Sequence, residues 1–186
     1  FVTLEPPVDA IDLGAIAKGF IADKLKEFLV ENGVTSATIS LGGNLYAIGE
    51  NDLENRPFNI GIQNPKSSDG SIIGYVEITD KSLLTSGDYQ RFFMEKGKRY
   101  HHILDPKTGY PVDNNVSSVT IISDKSIDGD ALSTTCFVLG IDKGLELING
   151  ISGIDAVFID KNNNLYFSDG FENELTFTEY NETLVS

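Results

Sequence analysis

The stretch YHHILDPKTGYPV, residues 100–112, contains both histidines of the chain, His101 and His102. The run RFFMEKGKRY before it predicts a β-hairpin, because two strand-like segments flank a turn at Lys96-Gly97. The second strand delivers the histidines to a loop that contains two prolines. If that strand continues through them, their side chains point to opposite faces. Only one imidazole can then serve a given site, and the pattern alone leaves open whether either is functional.

Composition limits the classes of function that the chain can have. Its 186 residues are enough for one domain, which we place at residues 1–186. With 14 basic and 28 acidic residues, the net charge of -14 argues against a nucleic-acid-binding surface. A phosphate-bearing ligand would need a locally positive field, most simply from a divalent cation. The single Cys136 excludes an internal disulfide and a cysteine-based zinc site.

A helix is predicted from about residues 14–16 to the Asn32-Gly33 stop, because apolar residues recur at helical spacing. The turn DLG precedes it, and free N–H groups at a helix start suit an anion. Lys18 falls in the first turn, which is unfavourable for a cation that has no partner. The alternative is a solvated lysine on an amphipathic helix.

Strands outnumber helices along the rest of the chain, and short turns join most of them. The pattern predicts an α+β fold with largely antiparallel sheets and a few packed helices. Strands are expected at residues 1–4, 34–41, 45–48, 58–62, 72–79, 81–85, 116–122, 154–160 and 165–168, and further helices at 131–140 and 142–149. The acidic tail, residues 171–186, is expected to add an edge strand.

An oxygen-rich cluster lies at the start of the predicted helix 131–140. Asp130 and Thr134 are spaced i, i+4 and share a face, with Ser133 between them. Hard cations such as Mg²⁺ prefer oxygen ligands of this kind, together with substrate phosphates. The alternative, which the pattern alone favours, is that Asp130 caps the helix N-terminus and Thr134 is a polar surface residue.

The order of these motifs resembles that of the ApbE family, the FAD:protein FMN transferases. The resemblance rests on segments in the family's order that together span nearly the whole chain: DLGAIAKGFIADKL at 12–25, GGN at 42–44, TSGDYQRFF at 85–93, HHILDPKTGYPV at 101–112, SVTII at 118–122 and DGDALSTTCFVLG at 128–140. The family's leading segment, which supplies part of the flavin pocket, has no counterpart. Because the chain also starts at Phe1 without an initiator Met, we expect a fragment or a processed product.

The resemblance implies a role for each motif. Asp12, Lys18 and Ile103 would contact FAD, and His102 would be the catalytic histidine, with His101 supporting it or facing solvent. Mg²⁺ would be held by Asp130, Thr134 and the carbonyl oxygen of Ala15. Ser133 stands where some relatives carry another acidic residue, so the resemblance leaves a third side-chain ligand open.

The resemblance also implies the activity. Family members use Mg²⁺ to cleave FAD, pass the FMN phosphate to a Thr or Ser hydroxyl of an acceptor protein and release AMP. One alternative is a Mg²⁺-dependent FAD pyrophosphatase that gives FMN and AMP, and another is a non-catalytic flavin-binding module. The family mostly works outside the cytoplasm, often as membrane-anchored lipoproteins that modify membrane redox proteins, and we expect the same location and partner here.

Overall fold

The computed structural model describes residues 11–67, 69–174 and 176–179. Four helices lie in this part of the chain: α1 (Ala17–Glu31), α2 (Ser126–Leu139), α3 (Ile141–Asn149) and α4 (Asp169–Glu174). Its strands are β1 (Ala37–Leu41), β2 (Asn44–Ile48), β3 (Phe58–Gln63), β4 (Ile72–Ile78), β5 (Ser82–Gly87), β6 (Phe92–Glu95), β7 (Lys98–His101), β8 (Val116–Ser123), β9 (Ile154–Asp160), β10 (Leu165–Phe167) and β11 (Phe177–Glu179). The strand expected at residues 1–4 lies outside the described residues.

The centre of the fold is a six-stranded sheet in the order β1-β2-β5-β8-β9-β10. Every neighbouring pair in it is antiparallel. A three-stranded sheet, β11-β4-β3, and the separate two-stranded hairpin β6-β7 complete the strands of the described residues. The predicted α+β fold with antiparallel sheets is confirmed.

The large sheet lies between two apolar layers. Successive side chains of a strand point to opposite faces, and β8 shows this directly. Ile122 packs with β3, β4 and α4 in one cluster, whereas Ile121 packs with α2 and α3 in another. In β9, Val157 joins the first cluster and Phe158 the second. All eight residues of β8 are buried because both faces of the sheet are covered.

Two elements differ from the sequence-based expectation. Helix α2 begins at Ser126, with Lys125 as its N-cap residue, so Asp130 lies inside the helix and the N-cap interpretation of Asp130 is wrong. Helix α4 was not expected, because residues 169–174 lack a helical apolar repeat. The expected edge strand is present as β11, which pairs with β4.

Helix α1 packs on α2 through small residues. Gly19 and Ala22 are its buried positions, while Phe20, Ile21 and Phe28 on the apolar repeat are exposed. Asp23 fixes the junction: its carboxylate accepts hydrogen bonds from the backbone N–H groups of Ser126 (2.7 Å) and Ile127 (3.0 Å). These are orphan donors at the start of α2, so α1 supplies the cap that α2 lacks locally.

Within the described residues, no helix combines the length and the apolar character that crossing a bilayer requires.

Candidate functional site

The β6-β7 hairpin positions the two histidines. Its turn residues Lys96 (φ 49°) and Gly97 (φ 78°) both have positive φ, as a two-residue hairpin turn requires. The strands pair in register from Glu95 opposite Lys98 to Phe92 opposite His101. The pairing continues beyond β7, because His102 N–H donates to the Arg91 carbonyl over 3.2 Å. The alternation of side chains therefore extends through both histidines.

The two imidazoles lie in different surroundings. His101 is buried against the ring of Phe137, and its Nε2 donates to the Val112 carbonyl over 3.0 Å. Burial lowers the pKa of His101, so the ring is held neutral as part of the structure. The solvent-facing alternative for His101 is wrong. His101 borders a second cleft of about 980 Å³ on its own side of the hairpin, and His102 borders a different cleft.

His102 is exposed and is oriented by the chain before the hairpin. Its Nδ1 lies 3.2 Å from the Arg91 carbonyl oxygen. Because a carbonyl oxygen can only accept, this bond places the proton on Nδ1. The other ring nitrogen, Nε2, then keeps its lone pair and is able to accept a proton.

The start of α1 is bound to α2 through Asp130. This carboxylate is buried, with 4% of the residue exposed. One oxygen accepts from Lys18 Nζ over 3.1 Å, and the other accepts from the backbone N–H of Gly19 over 2.9 Å. The N-cap residue of α1, Ile16, offers no side-chain cap. Asp130 therefore supplies the acceptor that α1 lacks and is the partner that the position of Lys18 required.

Hydroxyl groups lie beside Asp130. Thr134, one turn further along α2, has Oγ1 3.3 Å from Ser86 Oγ at the end of β5. Ser86 Oγ is also 2.9 Å from Ser133 Oγ, and Ser133 donates to the Asp130 carbonyl over 3.2 Å. Ser133 is thus a buried bridge between α2 and β5, and Thr134 is the half-buried hydroxyl at the edge of the cleft.

The turn before α1 contributes Asp12 and Ala15 to the same cleft as Lys18 and Asp130. Asp12 accepts from the Gly14 N–H over 2.6 Å, which bends the chain into the turn that contains Ala15. The Leu13 carbonyl accepts from Ile16 and Ala17, so this turn leads directly into the helix.

The seven residues predicted for the site line one cleft of about 1000 Å³. Five came from the α1 and α2 motifs, namely Asp12, Ala15, Lys18, Asp130 and Thr134, and two, His102 and Ile103, follow the hairpin. Ile103 is mostly buried in the core under α2. The structure brings all seven together, while their individual roles stay predictions.

Sequence reasoning missed several residues of the same cleft: Gln63, Ser86, Tyr89, Gln90 and Arg91. The polar turn TSGDY at residues 85–89 was the available signal for two of them, Ser86 and Tyr89. The GGN turn, a weak signal, also lines the cleft. Asn44 in that turn accepts from Ser126 Oγ, while its buried Nδ2 has no partner among the described residues. A ligand acceptor would satisfy such a donor.

The cleft suits a cation and an anion side by side. Lys18 Nζ lies 3.1 Å from Asp130 Oδ1 and 3.4 Å from the Gly14 carbonyl oxygen, so a positively charged group already lies between these oxygens. The donor set of Asp130, Thr134 and the Ala15 carbonyl is all oxygen, which fits Mg²⁺. No group of three or more His, Cys, Asp or Glu side chains that could hold a metal occurs in the described ranges. Lys18, Arg91 and the N-terminus of α1 supply positive potential for phosphates.

These features define an α+β protein with a cleft at a helix N-terminus, lined by a buried carboxylate and an exposed histidine. The sequence profile of the ApbE family matches residues 3–158, and the chain belongs to the ApbE family. The predicted family is confirmed.

Individual relatives support the same family assignment. The chain is 44% identical over 167 residues to an FAD:protein FMN transferase of Klebsiella pneumoniae, which covers 90% of this chain and 51% of that protein. It is also 44% identical over 156 residues to the FAD:protein FMN transferase of Treponema pallidum, covering 80% of this chain and 43% of that protein.

Solved structures show the same fold. The crystal structure of the ApbE protein of Thermotoga maritima superposes with a TM-score of 0.79 at 35% identity, covering 88% of this chain and 52% of that one. The flavin transferase ApbE of Vibrio cholerae gives 0.75 at 32% identity, with 88% and 52% covered. The chain thus spans about half the length of the relatives it matches.

Proposed function

We propose that the protein containing this chain transfers FMN from FAD to a Thr or Ser hydroxyl of an acceptor protein, using Mg²⁺ and releasing AMP. The observation that carries the proposal is the convergence of all seven predicted residues, from three separated sequence motifs, on one cleft. The names of the relatives, FAD:protein FMN transferase, support the same reaction.

The reaction exchanges one P–O bond for another. The acceptor hydroxyl attacks the FMN phosphorus of the pyrophosphate, its proton passes to a base, and the bond to the AMP oxygen breaks with its electron pair. Such a transfer depends on positioning and on neutralised charge. Lys18 and the N-terminus of α1 attract the pyrophosphate, and Nε2 of His102 takes the proton. In the absence of a cation, Asp130 binds both Lys18 and the Gly19 N–H at the start of α1.

Mg²⁺, held by Asp130, Thr134 and the Ala15 carbonyl, would neutralise the developing phosphate charge when bound. Because Lys18 occupies one Asp130 oxygen, it would turn from that oxygen towards the phosphates as the cation binds.

Turnover of FAD with and without an acceptor tests the proposal. The complete protein is incubated with FAD and Mg²⁺, and FMN and AMP are followed in both conditions. We expect AMP release to depend on acceptor, because a protein hydroxyl is the intended nucleophile. Rapid release of free FMN without any acceptor would instead indicate an FAD pyrophosphatase, in which water takes the place of the hydroxyl. Flavin binding that is indifferent to both acceptor and Mg²⁺ would indicate a non-catalytic module.

Replacing His102 with Asn is expected to lower the transfer rate by roughly 10²–10⁴-fold, because proton transfer by a positioned side chain contributes about that much. FAD affinity should change little. His101→Asn gives the contrast: it breaks the buried bond to the Val112 carbonyl and should lower the melting temperature. Single-turnover transfer assays and thermal melts measure the two effects. A His102→Asn variant with a near-normal rate would eliminate a proton-transfer role.

The family resemblance further supports a location outside the cytoplasm, attached to a membrane, with a membrane redox protein as acceptor. Fractionation of cells that express the complete protein tests this, and recovery in the cytoplasmic fraction would contradict it.

A further inference from the structure

The β6-β7 hairpin presents large apolar side chains to solvent. Within the described part of the chain, β6 and β7 pair only with each other. All four residues of β6 are exposed, and three of them are large and apolar: Phe92 is 45% exposed, Phe93 61% and Met94 56%. By strand alternation Phe93 lies on one face of the hairpin, and Phe92 and Met94 lie on the other, where the Arg99 guanidinium lies over the Phe92 ring. Exposed apolar groups clustered on one short element mark an interaction surface more often than scattered ones do.

One face of the hairpin leads to the candidate catalytic histidine. Phe93 pairs with Tyr100, and their rings stack with centroids 5.2 Å apart and planes 8° from parallel. Side chains two residues apart share a face, so His102 lies on the same face as Tyr100. The ladder bond from His102 to the Arg91 carbonyl keeps this alternation intact. The stacked rings and His102 therefore form one continuous strip that ends in the cleft.

The hairpin is basic in an otherwise acidic chain. Residues 91–99 carry four basic side chains and one acidic, whereas the whole chain has a net charge of -14. Asp88 neutralises one of the four through its 3.3 Å contact with Arg99. Arg91 borders the cleft at one end of the strip and Lys96 is exposed at the turn at its other end, with Glu95 between them on the face of Phe93. The strip therefore has basic groups at both ends. The complementary partner combines apolar side chains with acidic ones.

We propose that the hairpin, residues 92–101, is the docking arm for the acceptor protein. It binds an extended, acidic and apolar segment beside the Thr or Ser that receives FMN. The inference rests on the proposed function, since it assigns the surface that recognises the second substrate. Continuity with His102 favours this occupant over a lipid surface, because a segment bound along the strip delivers its hydroxyl to the base. Because the docking arm is basic, it also offsets the repulsion between two acidic proteins and speeds their encounter.

Direct binding tests the docking arm independently of catalysis. The probe is a fluorescent synthetic peptide with one Thr, flanked by Asp, Glu and Leu, and the control peptide has Lys in place of every acidic residue. Binding to the complete protein is followed by anisotropy. We expect the acidic peptide to bind and the basic one not to bind. Phe93→Ser should weaken binding about tenfold, the effect of losing one buried aromatic anchor.

Matched variants test whether the effect on peptide binding depends on where in the molecule a side chain is changed. Lys96→Glu should weaken peptide binding and reduce its salt dependence. Lys143→Glu makes the same charge change on the exposed surface of α3 and should leave binding unchanged. Leu53→Ser removes an apolar side chain that is 96% exposed and borders neither cleft, and it should also have no effect.

Kinetics distinguish this proposal from the proposed function. Phe93→Ser should raise KM for the acceptor peptide while KM for FAD stays unchanged. If the wild-type protein binds the acidic peptide but transfers no FMN, the docking arm stands and the transferase assignment fails. Equal binding of the acidic and basic peptides, or of wild type and Phe93→Ser, would overturn the docking arm. Phe93-dependent binding to anionic phospholipid vesicles without peptide binding would overturn it in favour of a membrane contact.

Discussion

Replacing Asp130 with Asn is expected to lower FMN transfer by about 10³-fold or more. Its carboxylate is the sole charged ligand proposed for Mg²⁺, and a bound metal supplies several kcal/mol of charge stabilisation, each 1.36 kcal/mol being tenfold in rate. The amide also places an N–H donor where Lys18 Nζ and the Gly19 N–H now donate to carboxylate oxygens. The variant therefore loses both the cation site and the partner of Lys18.

Asp128→Asn is the matched control for this loss. Asp128 lies two residues earlier on α2, is exposed and borders neither cleft. It should keep the wild-type rate and the wild-type Mg²⁺ affinity, measured by calorimetry in the presence of FAD. Equal transfer rates for Asp130→Asn and Asp128→Asn, with both proteins folded, would remove Asp130 from the mechanism.

Gly19→Ala is expected to destabilise the fold and to reduce activity at the same time. A Cβ at this position would lie 2.4 Å from the Ser126 carbonyl oxygen and 2.6 Å from Ile127 Cα, which are backbone atoms of α2. The helices must then separate, which breaks the Gly19–Asp130 bond and strains the Asp23 cap. Overpacking of this kind costs about 1–3 kcal/mol, or roughly 2–12 °C in melting temperature for a chain of this size.

Helix propensity alone would predict the opposite change in stability for Gly19→Ala. Alanine favours a helix interior over glycine by about 1 kcal/mol, so an uncrowded α1 would gain stability from the same change. Gly150→Ala is the control, because Gly150 has an ordinary φ of -82° and its Cβ would meet nothing closer than 3.4 Å. Thermal melts and transfer rates of both variants distinguish crowding at Gly19 from the effect of helix propensity. A Gly19→Ala protein as stable and active as wild type would show that α1 does not approach α2 this closely.

Local patterns were sufficient to predict much of the fold. The hairpin turn at Lys96-Gly97 and the strand expected at residues 154–160 depend on neighbouring residues, and both are present as expected. The start of α2 was misplaced because Ser126 and Asp130 are polar yet buried, which a hydrophobic repeat does not show. Their burial is possible because partners from α1, β2 and β5 satisfy them, and those partners are distant in sequence.

The candidate site was likewise predictable only in part from the sequence. The position of Lys18 indicated that the residue needs a partner, but the spacing did not indicate that this is Asp130, 112 residues away. The family resemblance placed both residues in one site but assigned Lys18 to FAD and Asp130 to Mg²⁺, and the direct contact between them is a finding of the structure. Tyr89 and Arg91 were missed because their place in the cleft, with residues of α1 and α2, depends on contacts between segments distant in sequence. Packing of small residues, as at Gly19, leaves no apolar periodicity to detect.

Intact mass spectrometry of an acceptor protein tests the central proposal most directly. A candidate acceptor is incubated with the complete protein, FAD and Mg²⁺, then digested to locate any modification. The account predicts the added mass of FMN on a single Thr or Ser, no addition when Mg²⁺ is chelated, and none with the Asp130→Asn variant. Release of FMN and AMP with no added mass on any acceptor offered would contradict it.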